Sequence, residues 1–233
     1  MLVACGVACE QPPSASKQKS RTAPQEIFGH RFEVMADVNG DGRPDTVREV
    51  YWSQTLGREA AKFLADVPYD TLVWRAAELA PSVILRWGSG PEYTLPTGSW
   101  FGLALLVNEG DLDGDGADEL GYVPDNADWS NTTTYHVIGL RDGRWRELFA
   151  FPIWEWQLNE LPGNTREYGL IGQTGRTIDT ASTGFSPVDL VLPIGPGKAR
   201  VVGNTGEADL DTMEVLFLEG DTVRFIVPEL GPP

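Results

Sequence analysis

Cysteine is almost missing from this 233-residue chain: Cys5 and Cys9 are the only two, and both fall within the first ten residues. A disulfide framework and a cysteine-based zinc site are therefore excluded from the body of the chain. A cysteine nucleophile is excluded there as well. Histidine is nearly as scarce, with His30 and His136 alone. His136 sits in a strand-like segment and reads as a core or edge histidine, not a catalytic one. Positive charge is also short: 18 Lys and Arg face 34 Asp and Glu, a formal net charge of −16. Nucleic-acid binding needs a basic surface to meet phosphates and is excluded. Electrostatic attachment to anionic lipid is excluded on the same ground. No apolar run approaches the ~18 residues that cross a bilayer as a helix. The chain carries no nucleophile elbow, phosphate loop, dinucleotide fingerprint or His-Glu-x-x-His motif. No catalytic residue is assigned, and a non-enzymatic protein is the expectation.

What is present is turn punctuation and aromatic bulk. The 26 Gly and 17 Pro suit short strands joined by turns better than long helices. Eight Trp, nine Phe and six Tyr supply a core and argue against disorder over most of the length. The expected fold is mainly β, with antiparallel sheets and hairpins in a blade-like or sandwich arrangement. A short helical insertion is expected around 54–80. Within it, Arg58 to Leu64 and Leu72 to Ala80 favour helix, and Pro81 is a stop. Hairpins are expected for Tyr135 to Phe151 around Asp142-Gly143, for Val188 to Val202 around Gly195-Pro196-Gly197, and for Met213 to Val227 around Glu219-Gly220-Asp221.

The N-terminal residues set out a different kind of information. Leu2-Val3-Ala4-Cys5 resembles the lipobox of bacterial lipoproteins, in which a small residue precedes the cysteine that is lipidated. The resemblance implies that residues 1–4 are the remnant of a signal peptide, that basic and apolar residues are encoded upstream of Met1, and that Cys5 carries a multiply acylated anchor. The other reading of these residues is a short terminus or a Cys5–Cys9 pair. Residues 10–25 read EQPPSASKQKSRTAPQ, with no large apolar side chain, so residues 5–26 are expected to be a flexible tether. Residues 27–233 are then one mainly-β domain, and an exported, membrane-anchored bacterial protein, periplasmic or on the cell surface, is the expected setting.

Two acidic loops carry the strongest chemical signal. Asp37-Val38-Asn39-Gly40-Asp41-Gly42-Arg43-Pro44-Asp45 is matched 74 residues later by Asp111-Leu112-Asp113-Gly114-Asp115-Gly116-Ala117-Asp118-Glu119. Oxygen side chains stand at the first, third, fifth and ninth positions of both, with Gly at the fourth and sixth. Calcium takes six to eight oxygens, and alternating carboxylates on a tightly curled loop converge on one point. The expected ligands are Asp37, Asn39, Asp41 and Asp45 with the Arg43 carbonyl, and Asp111, Asp113, Asp115 and Glu119 with the Ala117 carbonyl. Asp118 is expected to substitute for a neighbour or to add local charge. Two Ca²⁺ sites follow. Arg48 and Tyr122 stand at the twelfth positions, where an EF-hand places its bidentate Glu, and the flanks are strand-like on both sides. The loops resemble the FG-GAP/VCBS type, which joins two β-strands around calcium. A third acidic stretch, Glu207-Ala208-Asp209-Leu210-Asp211, lacks both glycines and reads as a solvated strand end.

One more pair of residues keeps a ligand site in view. Trp154 and Trp156 are two apart, hence on one face of a strand; core packing is the default expectation for such a pair, and stacking on a sugar ring is the alternative. Asp125, Asp128 and Glu155 lie nearby in sequence as acids for glycoside hydrolysis. Two functions therefore stand. One is a non-enzymatic calcium-binding surface or scaffold module with a protein or glycan partner. The other is a carbohydrate-binding or glycan-hydrolysing protein built on Trp154 and Trp156.

Overall fold

The computed structural model describes residues 23–96, 100–126, 132–154, 157–158, 190–204, 210–218 and 222–226. Cys5 and most of the expected tether lie outside the described residues. The tether's last residues do not: the Gln25 carbonyl accepts the Ala65 amide at 2.8 Å, and Glu26 enters a strand opposite Leu64. The folded body thus begins slightly earlier than composition alone indicates.

The chain first runs through β1 (Glu26–Ile27), β2 (Glu33–Ala36), β3 (Asp45–Ser53), β4 (Arg58–Glu59), β5 (Phe63–Leu64), helix α1 (Tyr69–Leu79), β6 (Pro81–Trp87) and β7 (Tyr93–Thr94). β2, β3, β6 and β7 are neighbours in that order in an antiparallel sheet, with β4 beside β3, while β1 pairs with β5. Next come β8 (Leu103–Gly110), β9 (Glu119–Pro124), β10 (Thr132–Arg141) and β11 (Arg144–Trp154), a four-stranded sheet whose order follows the chain. β12 (Val191–Gly195), β13 (Lys198–Asn204), β14 (Leu210–Leu218) and β15 (Thr222–Ile226) repeat that meander in a third sheet. The fold is mainly β and antiparallel, as composition and patterning indicate. No helix among the described residues is long and apolar enough to cross a membrane.

The sheets stack through their side chains. Val47, Tyr51, Val83, Leu85 and Trp87 of the first sheet pack with Leu106, Leu120, Tyr122 and Ile138 of the second. On its other side the second sheet puts Leu105, Val123, Tyr135, Val137, Phe149 and Phe151 against Val191, Ala199, Val201 and Val215 of the third. The middle sheet is therefore covered on both faces. That is why Leu103 to Leu106 are all buried and apolar instead of alternating with polar residues. By contrast β6, at the outside, alternates buried Val83, Leu85 and Trp87 with half-buried Ser82, Ile84 and Arg86. The β10–β11 turn has Asp142 and Gly143 at φ 51° and 70°, the positive pair that a tight primed turn requires.

Only half of the expected helical insertion is helical. α1 forms with Asp70 in its first turn and buries Leu72, Ala76 and Leu79. It ends at Ala80, in the left-handed region, with Pro81 directly after. Arg58 to Leu64, in contrast, follows the sheet: β4 pairs with Trp52 and Ser53, the Ala60 amide donates to the Tyr51 carbonyl at 3.0 Å, and β5 pairs with β1. Tertiary contacts override helix propensity here. The deciding contact is Lys62, whose ammonium meets Glu49 of β3 at 2.6 Å with both side chains sealed from solvent.

Candidate metal centre

The two acidic loops are the first hairpin connections of the first and second sheets: residues 37–44 join β2 to β3, and 111–118 join β8 to β9. Their second positions, Val38 and Leu112, are buried in the cores between the sheets and anchor each loop to its sheet. This apolar pin was present in both motifs as a shared hydrophobic second residue. The glycines have the conformations the motif demands: Gly40 and Gly42 at φ 69° and 80°, Gly114 and Gly116 at 85° and 93°.

The loops curl by related internal bonds, three of the four at matching positions. In the first, Asp37 accepts the amides of Asp41 (3.0 Å) and Gly42 (2.7 Å), Asn39 accepts Asp41 (2.9 Å), and Asp41 accepts Arg43 (2.9 Å). In the second, Asp111 accepts Gly114 (2.7 Å) and Gly116 (3.0 Å), Asp113 accepts Asp115 (3.1 Å), and Asp115 accepts Ala117 (2.9 Å). Side-chain-to-amide turns of this kind are what Asp and Asn do two residues ahead of a turn. In the second loop the carboxylates come together. One oxygen from each of Asp111, Asp113 and Asp115 lies within 4.8 Å of the others, a group able to hold a metal ion. In the first loop Asn39 replaces the middle carboxylate, so the charge is lower.

The ninth positions differ sharply. Asp45 is half-buried, and its Oδ2 is enclosed with no hydrogen-bond partner among the described residues. Burial, then the charges of Asp41 and Asp37, hold its carboxyl above the usual range. An enclosed carboxylate oxygen without a donor fits a cation, which would supply the missing partner. Glu119 is fully buried and satisfied: it accepts the Leu112 amide at 2.7 Å and the Arg141 guanidinium at 2.7 Å. Burial still pushes its carboxyl up to about 7 against the pull of those two donors. Arg141 also pairs with Asp113, and with Asp115 at 3.2 Å. Burial opposes the Arg141 charge, but the hydrogen bond and charge of Glu119, with Asp113 and Asp115, raise its pKa above the ordinary value.

Sequence reasoning missed two of these partners. Arg141 lies 22 residues beyond Glu119 and reaches it only through the β9–β10 pairing. Asp118 was expected to act within its own loop, whereas its carboxylate accepts the Asp37 amide of the other loop at 2.8 Å and the Asn108 amide at 2.9 Å. The third acidic stretch lies outside the described residues up to Asp209, and Leu210 and Asp211 open β14.

The remaining expected sites are less developed. Trp154 ends β11 half-buried, with its indole N–H enclosed and without a partner among the described residues. Trp156, Asp128 and Glu155 lie outside the described residues. Asp125 is held by the backbone, its amide donating to the Gly102 carbonyl at 2.8 Å. His136 is a partnered strand histidine: Nδ1 meets the Glu147 carboxylate at 2.7 Å and the ring stacks on Tyr122 at 4.8 Å. No family model matches the chain, and no curated protein or solved structure is significantly similar to it.

Proposed function

We infer that this is an exported, lipid-anchored calcium-binding protein, a non-enzymatic surface binding or scaffold module in which the two loops hold structural Ca²⁺. The reading of the loops as FG-GAP/VCBS-like belongs to this proposal. The observation that carries it is the group of Asp111, Asp113 and Asp115, one oxygen of each within 4.8 Å of the others, in a loop whose curl the first loop shares at three of four amide bonds. The residues fit the ion. Asp37, Asn39, Asp41 and Asp45 would hold it in the first loop with the Arg43 carbonyl; Asp111, Asp113, Asp115 and Glu119 would hold it in the second with the Ala117 carbonyl. Calcium would supply charge neutralisation there and fix each strand–loop–strand unit. Hard carboxylate and carbonyl oxygens favour calcium over softer metals.

Calorimetric titration with calcium tests the metal. The wild type should bind, Asp41→Ala should lose the first loop's ion and Asp115→Ala the second's. Absence of binding by the wild type at millimolar calcium sinks the reading. The anchor has its own test: Cys5→Ser expressed from the full gene should leave the membrane fraction for the soluble one. If the substituted protein stays with membranes, the lipidation half fails and the calcium half stands.

A further inference from the structure

The second loop already contains a cation. Arg141 closes β10 and turns its guanidinium into the loop, where it meets Asp113, Asp115 and Glu119, the third, fifth and ninth positions. Those are three of the four side-chain positions that an ion in this loop needs. The matching positions of the first loop are Asn39, Asp41 and Asp45, and among the described residues no arginine side chain bonds to any of them; Asp41 accepts only the Arg43 backbone amide. There the ninth-position oxygen is enclosed and has no partner among the described residues. The strand that delivers Arg141 is shaped for it. Gly139 lies two residues back on the same face of β10, and a Cβ there would stand 2.8 Å from Arg141 Nη1 and 3.1 Å from Glu119 Oε1. Glycine at 139 thus leaves the slot through which the guanidinium reaches the loop.

We propose that Arg141 is the resident cation of the second loop and sets the unequal calcium affinity of the two sites, since it must swing out before an ion can enter. This rests on the calcium reading of the loops. The first loop fills without competition. The second exchanges a monovalent guanidinium for a divalent ion, breaking the charge-assisted bonds to Asp113, Asp115 and Glu119 as the ion arrives. In calcium-poor conditions the arginine prevents the five acids between Asp111 and Glu119 from repelling one another, so the loop keeps its shape when empty of metal.

The test isolates the second loop by removing the first with Asp41→Ala. Calcium titration calorimetry then compares Asp41→Ala alone with Asp41→Ala/Arg141→Gln and with Asp41→Ala/Gly139→Ala, each checked for intact fold by circular dichroism. Arg141→Gln removes the guanidinium; Gly139→Ala displaces it and keeps its charge, so the test survives if one variant does not fold. The expected result is a calcium affinity at least tenfold higher in the double variants than in Asp41→Ala. Unchanged or lower affinity in both overturns the role of Arg141. If in that case the wild type still binds an ion that Asp41→Ala loses, the calcium reading stands and this inference alone falls. Binding by no variant and not by the wild type overturns both.

Discussion

Asp37 and Asp118 hold each other by the backbone: the Asp37 amide donates to the Asp118 carboxylate at 2.8 Å, and the Asp118 amide donates to the Asp37 carbonyl at 2.8 Å. The pair joins the first residue of one acidic loop to the eighth of the other. Asn108 reinforces it, its amide reaching both the Asp118 carboxylate at 2.9 Å and the Met35 carbonyl at 3.1 Å. The loops also lie back to back, so that a Cβ on Gly40 would be 3.3 Å from the Gly116 carbonyl. Two acidic loops 74 residues apart in sequence therefore share a wall.

The first prediction follows from that wall. Asp118→Ala leaves the Asp37 amide without its side-chain acceptor and should cost about 1–3 kcal/mol. For a domain of this size that corresponds to a melting temperature lower by roughly 2–4 °C per kcal/mol. Urea unfolding in EDTA reads the loss directly. The same variant should also make the two calcium sites independent in a titration. A stability within error of the wild type rejects the bridging role.

A second prediction concerns the buried pair beneath the first sheet. Glu49 accepts the Phe32 amide at 3.1 Å, the Leu103 amide at 3.0 Å and the Lys62 ammonium at 2.6 Å. Burial lowers the Lys62 pKa, with Glu49 pulling it back up. Glu49→Leu strands a buried ammonium and two amides, and should cost ~3–5 kcal/mol. Replacing both partners, Glu49→Leu with Lys62→Met, should recover part of that loss, because no charge is then left unpaired. Denaturant unfolding of the two single variants and the double one gives the coupling. Additive losses would show that the pair is not coupled.

Gly102 supplies a third. Its φ is +95°, and a Cβ there would land on Glu49 Oε1 and Lys62 Nζ. Gly102→Ala should therefore destabilise by more than the ~1 kcal/mol that a glycine-to-alanine change gains at a compatible site, and with the opposite sign. Thermal melting settles it: an unchanged or higher melting temperature contradicts the close approach.

The sequence made the curl of each loop legible because the bonds that curl it are local. The bonds from Asp37, Asn39 and Asp41 reach two to five residues ahead, and the glycines lie inside the same nine residues. The hairpin at Asp142-Gly143 was legible for the same reason. Arg58 to Leu64 was not, since helix propensity is local while the claim on Lys62 comes from Glu49, thirteen positions earlier and on another strand. Arg141 was invisible too: an arginine at a strand end is ordinary until sheet register carries it 28 residues back to Asp113. Local spacing reveals how a loop curls, and only pairing across strands reveals which side chains reach it from elsewhere.

Metal removal is the fourth prediction. A ligand that binds only the folded state at a hundredfold excess over its Kd adds about 2.7 kcal/mol. At roughly 2–4 °C per kcal/mol, calcium should raise the melting temperature above that in EDTA by about 5–10 °C through the first loop. Asp41→Ala should remove most of this shift, because Asp45 Oδ2 then faces an ion site with fewer ligands. Asp115→Ala should remove less of it, since Arg141 neutralises the second loop before calcium arrives. The asymmetry is the informative part. Equal shifts lost in the two variants would mean that the guanidinium does not compete with the ion, and a melting curve indifferent to EDTA would mean that neither loop uses calcium to stabilise the fold.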